Sequence, residues 1–498
     1  MKVTASRCAL YTAAQVYTLD AAAIASGIPG IQLMKRAGSA AYELLMQRFP
    51  APEMIHVYCG SGKNGGDGYV LAALAAQRLV PVQVIQLATP EALVGEARQA
   101  YEFANQEGVK MLPFGHATPP LSGVIVDALL GIGLQGDVRP TYAEAIEEIN
   151  SSLLPVLAID IPSGLGADTG AVHGTVVKAA LTITYIGVKR GLLTGRGQAM
   201  CGEVVLSDLG IPATTFAQII PGAELLQLST LINLLPPREA DAHKGDFGHV
   251  MIIGGDTGFG GAALMAAEAA ARTGAGLVSI ATRPEHVAAM LTRCPEIMAN
   301  GVISGQELEP LLARPTVLVV GPGLGRSPWS EQMLQQAVKS GLPMVIDADA
   351  LNILAAGRVI PDFDHRNCLL TPHPGEAARL LGISIHEIQA ERFANVQRLQ
   401  KKFGGAVILK GSGSLIAGDS GITGIVTQGN PGMASGGMGD VLSGILGSLL
   451  AQGLSVENAA RLGAVLHANA ADLAADEVGQ RGLLATDLIP YLCQLLSD

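Results

Sequence analysis

The chain is 498 residues long, 49% hydrophobic and only 15% charged, with 62 glycines and a formal net charge of -11. That length exceeds what one core serves, so two domains are expected. Sparse charge excludes a disordered chain, and the acidic balance excludes a general basic surface for nucleic acid.

Near the N-terminus Lys2 and Arg7 precede an apolar stretch. Asp20 interrupts it and no small-residue cleavage site follows, so no leader peptide is expected. "TAAQVYTLDAAAIASG" reads instead as a helix. β-Branched runs then end in Gly, Asp or Pro loops and give way to Ala/Leu-rich stretches: "MIHVYCGSGKNGGDGYVLAALAAQRL", "GVIVDALLGIGL" and "PVLAIDIPSGL". "LTITYIGVKRGL" and "GEVVLSDLGIP" add two strands. The pattern restarts at "HVMIIGGDTGFGGAALMAAEAA" and runs through "TVLVVGPGLGRS", "PMVIDADALNIL", "CLLTPHPGEAARLLG" and "AVILKGSGSLIA". Apolar strands alternating with helices predict a largely parallel α/β sheet covered on both faces, with ligands beyond the strands' carboxyl ends. The charges in "AALMAAEAAARTGAG" argue against a membrane span. A Pro-Gly break and a Pro-Pro pair place the domain boundary near Pro221 to Leu225, giving domains 1–222 and 226–498. Cys8, Cys59, Cys201, Cys294, Cys368 and Cys493 are scattered, without a C-x-x-C pair. That argues against a zinc site or a disulfide framework and for a reduced, cytoplasmic protein.

"CGSGKNGGDGYV" follows a strand and opens a helix. Its five glycines would allow positive φ and close approach of a ligand. Lys63 is followed by Asn64, so no Walker motif exists. Asp67 in a lone loop reads as a helix cap. However, three strand ends supply Asn64, Asp127, Asp160 and Ser163, an oxygen-rich set that suits a hard cation or a polyol. In the second half, "GGDTGFGG" and "GPGLG" are further strand-end glycine loops, and "VIDADALN" puts Asp347 and Asp349 beyond a strand. His373, between prolines, is a structural group or a ligand contact, with Glu376 a cap for the helix that follows. Lys410 either offers charge to a phosphate or is a solvated surface lysine. "GNPGMASGGMGDVLSG" runs from a glycine loop into a helix packed through Gly444 and Gly447. Its free N–H groups suit an anion. Asp440 there is either a cap contributing about 1 kcal/mol or a base for a hydroxyl that attacks phosphorus.

Together these motifs resemble a known family. "NPGMASGGMGDVLSG", "LTPHPGE", "LKGSGS" and "GPGLG" are similar to the ADP/ATP-dependent NAD(P)H-hydrate dehydratases, a ribokinase-like branch. "GSGKNGGDGYV", "VDALLGIGL" and "IDIPSGL" are similar to the NAD(P)H-hydrate epimerase domain. The resemblance implies two three-layer α/β domains, a Rossmann-like epimerase followed by a ribokinase-like dehydratase. It implies hydrated NADH and NADPH (NADHX, NADPHX) and ADP as substrates, no nucleic-acid or membrane partner, and a homo-oligomer. It also implies K⁺ on Asn64, Asp127 and Ser163, and Mg²⁺ accompanying ADP. The hydrated cofactor would meet Lys63, Asn64, Gly65, Gly66, Asp67, Gly131, Ile132, Gly133, Leu134, Gln135, Gly136, Asp137, Tyr142 and Asp160 in the first domain. In the second it would meet Ala262, Gly323, His373 and Asp440. ADP would meet Lys410, Gly411, Ser412, Gly413 and Ser414, together with Asn430, Pro431, Gly432, Met433, Ala434, Ser435, Gly436, Gly437, Met438 and Gly439. Asp440 would be the catalytic base of the dehydratase, and Asp160 is the expected acid/base of the epimerase. Many epimerases have a second Asn where this chain has Lys63, which adds charge near the phosphates. A small-molecule kinase for a vitamin alcohol is the competing enzyme, and a plain nucleotide-binding or interaction module the competing reading of the first domain.

Overall fold

Four- and five-residue apolar runs are buried end to end, as strands covered on both faces must be. Ile55–Cys59, Val124–Ala128 and Leu181–Tyr185 contain no exposed residue. The computed structural model describes residues 9–217, 219–361, 363 and 366–497. Lys2, Arg7 and Cys8 lie outside the described residues. Contacts divide the chain into two compact units, Met1–Glu224 and Leu225–Asp498.

In unit 1 the strands are β1 (Ala9–Tyr11), β2 (Ile55–Cys59), β3 (Val82–Gln86), β4 (Lys110–Pro113), β5 (Val124–Ala128), β6 (Val156–Ile159), β7 (Leu181–Tyr185), β8 (Val188–Lys189) and β9 (Glu203–Ser207). The sheet order is β4-β3-β2-β5-β6-β7-β9, parallel throughout. β1 pairs parallel with β8. The first predicted helix forms as Ala13–Ala25, closed at its start by a capping box between Thr12 and Gln15.

Unit 2 adds, after β10 (Ala223–Leu225), β11 (His249–Ile253), β12 (Leu277–Thr282), β13 (Met298–Gly301), β14 (Val317–Val320), β15 (Met344–Ile346), β16 (Cys368–Leu370), β17 (Ala406–Leu409), β18 (Ser414–Ala417) and β19 (Thr423–Val426). The order β13-β12-β11-β14-β15-β16-β17 is parallel; β18 and β19 continue the sheet antiparallel. Thus "LKGSGS" is a hairpin turn between β17 and β18, and the sheet is largely rather than wholly parallel. The helix Met438–Ala451 crosses this sheet at close range: a methyl on Gly444 would lie 2.0 Å from the Ala266 carbonyl oxygen, and one on Gly447 2.4 Å from Val319 Cγ2. Both glycines are there for packing.

Candidate active sites

In each parallel run of strands the order reverses once, between β2 and β5 and between β11 and β14. The loops leaving the carboxyl ends diverge there and open a crevice.

In unit 1 the loop after β2 enters the helix Lys63–Gln77, whose N-cap is Gly62 and which has no side-chain cap. Asp67 sits past the first turn, 9% exposed, and lines a cavity of about 580 Å³, so it is not the cap its place in the sequence favours. None of the five glycines of this segment takes positive φ. They permit close packing instead. A methyl on Gly65 would lie 2.1 Å from Gly60 O, and one on Gly60 2.0 Å from Leu129 O.

The cavity wall contains Lys63, Asn64, Asp67, Gly131, Ile132, Gly133, Leu134, Gln135, Asp137, Tyr142 and Asp160. Gly65 and Gly66 are buried behind it, and Gly136 turns the chain at φ 69°. Asp127 and Ser163 are wholly buried. Asp127 accepts Ser163 N–H at 2.8 Å, the Ser163 hydroxyl at 2.6 Å and Leu129 N–H at 3.2 Å. Ser163 Oγ accepts Leu130 N–H at 2.8 Å, and a methyl on the next residue, Gly131, would lie 3.3 Å from Asn64 Cβ. The three side chains expected to bind a cation therefore converge. Both polar atoms of the Asn64 amide are buried without a hydrogen-bond partner, and burial pushes the Asp127 carboxyl up to about 6. An orphaned amide oxygen, a hydroxyl and a carboxylate with only neutral partners fit an alkali cation.

Asp160 holds a left-handed φ of 66°, a strain that persists only where the surroundings impose it. It accepts Tyr185 N–H at 3.2 Å and is ion-paired with Lys189. Lys189 is fully buried and also donates to Thr184 Oγ1 at 3.0 Å and to Tyr185 O at 2.9 Å. Sequence reasoning missed Lys189. The signal was a lysine inside the apolar run "TYIGVK", which burial demands be paired. Lys63 lies 3.0 Å from Asp20, a cavity residue also missed. Burial first, and then the charge of Asp160, push the Asp67 carboxyl well above its usual range.

In unit 2 the glycine loops after β11 and β14 meet. Gly323, at φ 59°, comes so close to the first turn of the helix Gly260–Arg272 that a methyl there would lie 3.1 Å from Ala262 Cβ. Asp256 ties the loops together: its N–H donates to Gly323 O at 2.7 Å, and its carboxylate accepts Arg283 at 2.7 Å and Ser327 at 2.8 Å. Across the crevice, Lys410 Nζ donates to Asp347 at 2.8 Å, and so does the Ser443 hydroxyl. Burial pushes the Asp347 carboxyl up, but Lys410, Thr371 and Ser443 together outweigh it and hold the group below its usual range. Lys410 is thus no solvated lysine. Asp347 is the other half of this pair, a role that its place beyond a strand does not reveal.

His373 caps the helix Pro374–Leu381, its Nδ1 accepting Gly375 N–H at 3.0 Å while Glu376 accepts His373 N–H at 2.8 Å. The capping reading of Glu376 holds, and the His373 ring stays exposed. Burial pushes Glu376 up to about 7. In the turn Lys410–Ser414, Gly411 and Gly413 take φ of 138° and 61° over the buried Arg392, and Ser414 Oγ donates to Gly411 O at 3.0 Å. In the loop Asn430–Gly439, Pro431–Met433 form a 3₁₀ turn, Ala434, Ser435 and Gly436 are exposed, and Gly437 alone takes positive φ, at 92°. Met438 is buried, and a methyl on Gly439 would lie 3.3 Å from both Asp347 Oδ2 and Lys410 Nζ. Gly437 is the N-cap of the helix Met438–Ala451 and no side chain caps it. Asp440 stands in the first turn and does not cap. Burial, then the charge of Asp347, push its carboxyl up to about 7, with Lys410 pulling the other way.

A carboxylate-lined cavity in one unit, and in the other a glycine loop backed by Lys410 and a helix start, define an α/β enzyme with two sites. Residues 30–191 match the family model for the YjeF-related protein N-terminus, and residues 250–494 match that for NAD(P)H-hydrate dehydratase. The chain is 48% identical to the bifunctional NAD(P)H-hydrate repair enzyme Nnr of Coxiella burnetii, covering 98% of this chain and 99% of that one. It is 43% identical to the enzyme of that name from Escherichia coli, over 95% and 90% of the two chains. A ribokinase-like superfamily protein of Enterococcus faecalis superposes with a TM-score of 0.50 at 31% identity, covering 56% of this chain and 96% of the other. The chain belongs to the family of bifunctional NAD(P)H-hydrate repair enzymes, with a YjeF-related N-terminal domain and a ribokinase-like C-terminal domain.

Proposed function

We propose that unit 1 interconverts the R and S epimers of hydrated NADH or NADPH, and that unit 2 dehydrates the S form at the expense of ADP, releasing AMP and phosphate. The observation that carries the reading is Asp440: a half-buried carboxyl near neutral pKa, with no capping duty, behind an exposed glycine loop and beside the Asp347–Lys410 pair.

Hydroxide leaves poorly and phosphate leaves well. Asp440 takes the proton of the C6 hydroxyl as its oxygen attacks the β-phosphorus of ADP and the bond to AMP breaks. The N–H groups at the start of the helix and the Lys410 ammonium face the charge that develops on the phosphoryl oxygens. The ring nitrogen's lone pair then expels phosphate, and loss of a C5 proton restores the ring double bond. Mg²⁺ would arrive with the nucleotide: among the described residues no group of three or more His, Cys, Asp and Glu converges to hold a metal alone.

In unit 1 the carboxyls divide the labour. Asp67, whose carboxyl burial pushes well above its usual range, donates a proton to the departing C6 hydroxyl. Asp160, anchored by Lys189, takes a proton from the water that adds to the other face of the resulting iminium. Asn64, Asp127 and Ser163 would hold K⁺, which supplies fixed positive charge beneath the cavity. The five described cysteines are free thiols, the state a reducing cytoplasm maintains. Hydrated NADH supplied with ADP should regain the absorbance of reduced nicotinamide as AMP appears. Phosphorylation of a vitamin alcohol with no regain of absorbance would favour the small-molecule kinase instead.

A further inference from the structure

The loop taken above as the phosphoryl cradle has no regular structure of its own beyond one 3₁₀ turn. Something must hold it still. The long helix Val456–Val478, 23 residues, does so with one carboxylate. Asp472 Oδ2 accepts Gly429 N–H at 2.9 Å, and Asp472 Oδ1 accepts Asn430 Nδ2 at 2.9 Å. The same amide nitrogen donates to Ala471 O at 3.1 Å, and Asn430 Oδ1 accepts Gly432 N–H at 3.0 Å. The Asn430 side chain therefore bridges the helix and the turn, transmitting the position of one to the other. The helix grips the loop at its entry.

Resting on the reading of unit 2 as an ADP-dependent dehydratase, we propose that Asp472 is a positioning residue for phosphoryl transfer. Through Asn430 it holds the loop Asn430–Gly439 at the distance from Asp440 that the reaction needs. Displacements of about 1 Å at such a loop cost up to about 100-fold in rate.

The test uses the full chain, with the unfolding transition of unit 2 in chemical denaturation as the measure of folded protein and epimerisation by unit 1 as the measure of chain concentration. Asp472→Ala should lower the dehydration kcat by roughly 10- to 100-fold with a smaller change in the ADP KM. Asp472→Asn keeps one of the two acceptors and should fall between. Because Asp472 and Asn430 act as one unit, Asn430→Ala should cause a similar loss and the double variant no more than the worse single one. Unchanged kcat per folded molecule in Asp472→Ala, or additive losses in the double variant, would overturn the proposal. Absence of ADP-dependent dehydration in the parent chain would instead overturn the reading on which it rests.

Discussion

Two carboxylates of the second site lie in opposite electrostatic states, and their surroundings explain why. Asp347 has a lysine and hydroxyls on it; Asp440 has burial and a neighbouring anion. A carboxyl raised from 3.8 to about 7 is a base only above that pH. Dehydration kcat/KM should therefore climb tenfold per pH unit below about 7 and level off above it. Linkage gives a second signature. The folded state keeps the Asp440 proton up to about pH 7, whereas the unfolded chain loses it near its ordinary value, so this group's contribution to stability is full in acid and is lost as pH rises through 7. Asp440→Asn should unfold at a higher temperature than the parent at pH 8 and lose that advantage in acid. In unit 1 the buried Lys189 compensates Asp160. Lys189→Met should slow epimerisation by at least about 100-fold and destabilise unit 1 by about 3–5 kcal/mol, because a charge is left buried alone. Adding Asp160→Asn should return part of that stability, as chemical denaturation can measure.

At the scale of elements, the glycines separate into two kinds. Gly323, Gly411 and Gly437 hold positive φ in loops, where the site needs sharp turns. Gly65, Gly444 and Gly447 lie in helices and admit backbone or side chains at contact distance. Gly444→Ala forces a methyl onto the Ala266 carbonyl oxygen. It should cost unit 2 about 1–3 kcal/mol and depress dehydration while epimerisation stays as in the parent, measured by thermal unfolding and paired assays. Apolar runs and strand-end loops made the parallel sheets and most of the cavity wall readable from sequence, because each is a local pattern. The β17–β18 hairpin was harder, since a glycine turn after a strand looks alike whether it opens a helix or reverses the strand. Asp347, Lys189 and Asp472 were missed as partners for another reason. Each matters through a residue 63, 29 or 42 positions away, a relation that no local pattern carries.

For the whole molecule, two chemistries reside in one chain, each in a unit with its own core and its own crevice at the carboxyl ends of its strands. The epimerase supplies the S form and the dehydratase consumes it, so together they clear both epimers. Expressed separately, each unit should keep its own reaction: the first alone brings R and S to equilibrium, and the second alone converts only the S fraction. The most direct test follows the R form, the S form, restored NADH and AMP together in the parent chain and in Asp440→Ala. The parent should consume both epimers with one AMP formed per NADH restored. Asp440→Ala should still bring R and S to equilibrium at the parental rate while forming NADH and AMP at least about 1000-fold more slowly. A folded Asp440→Ala chain that restored NADH from ADP at the parental rate would contradict the assignment of the catalytic base.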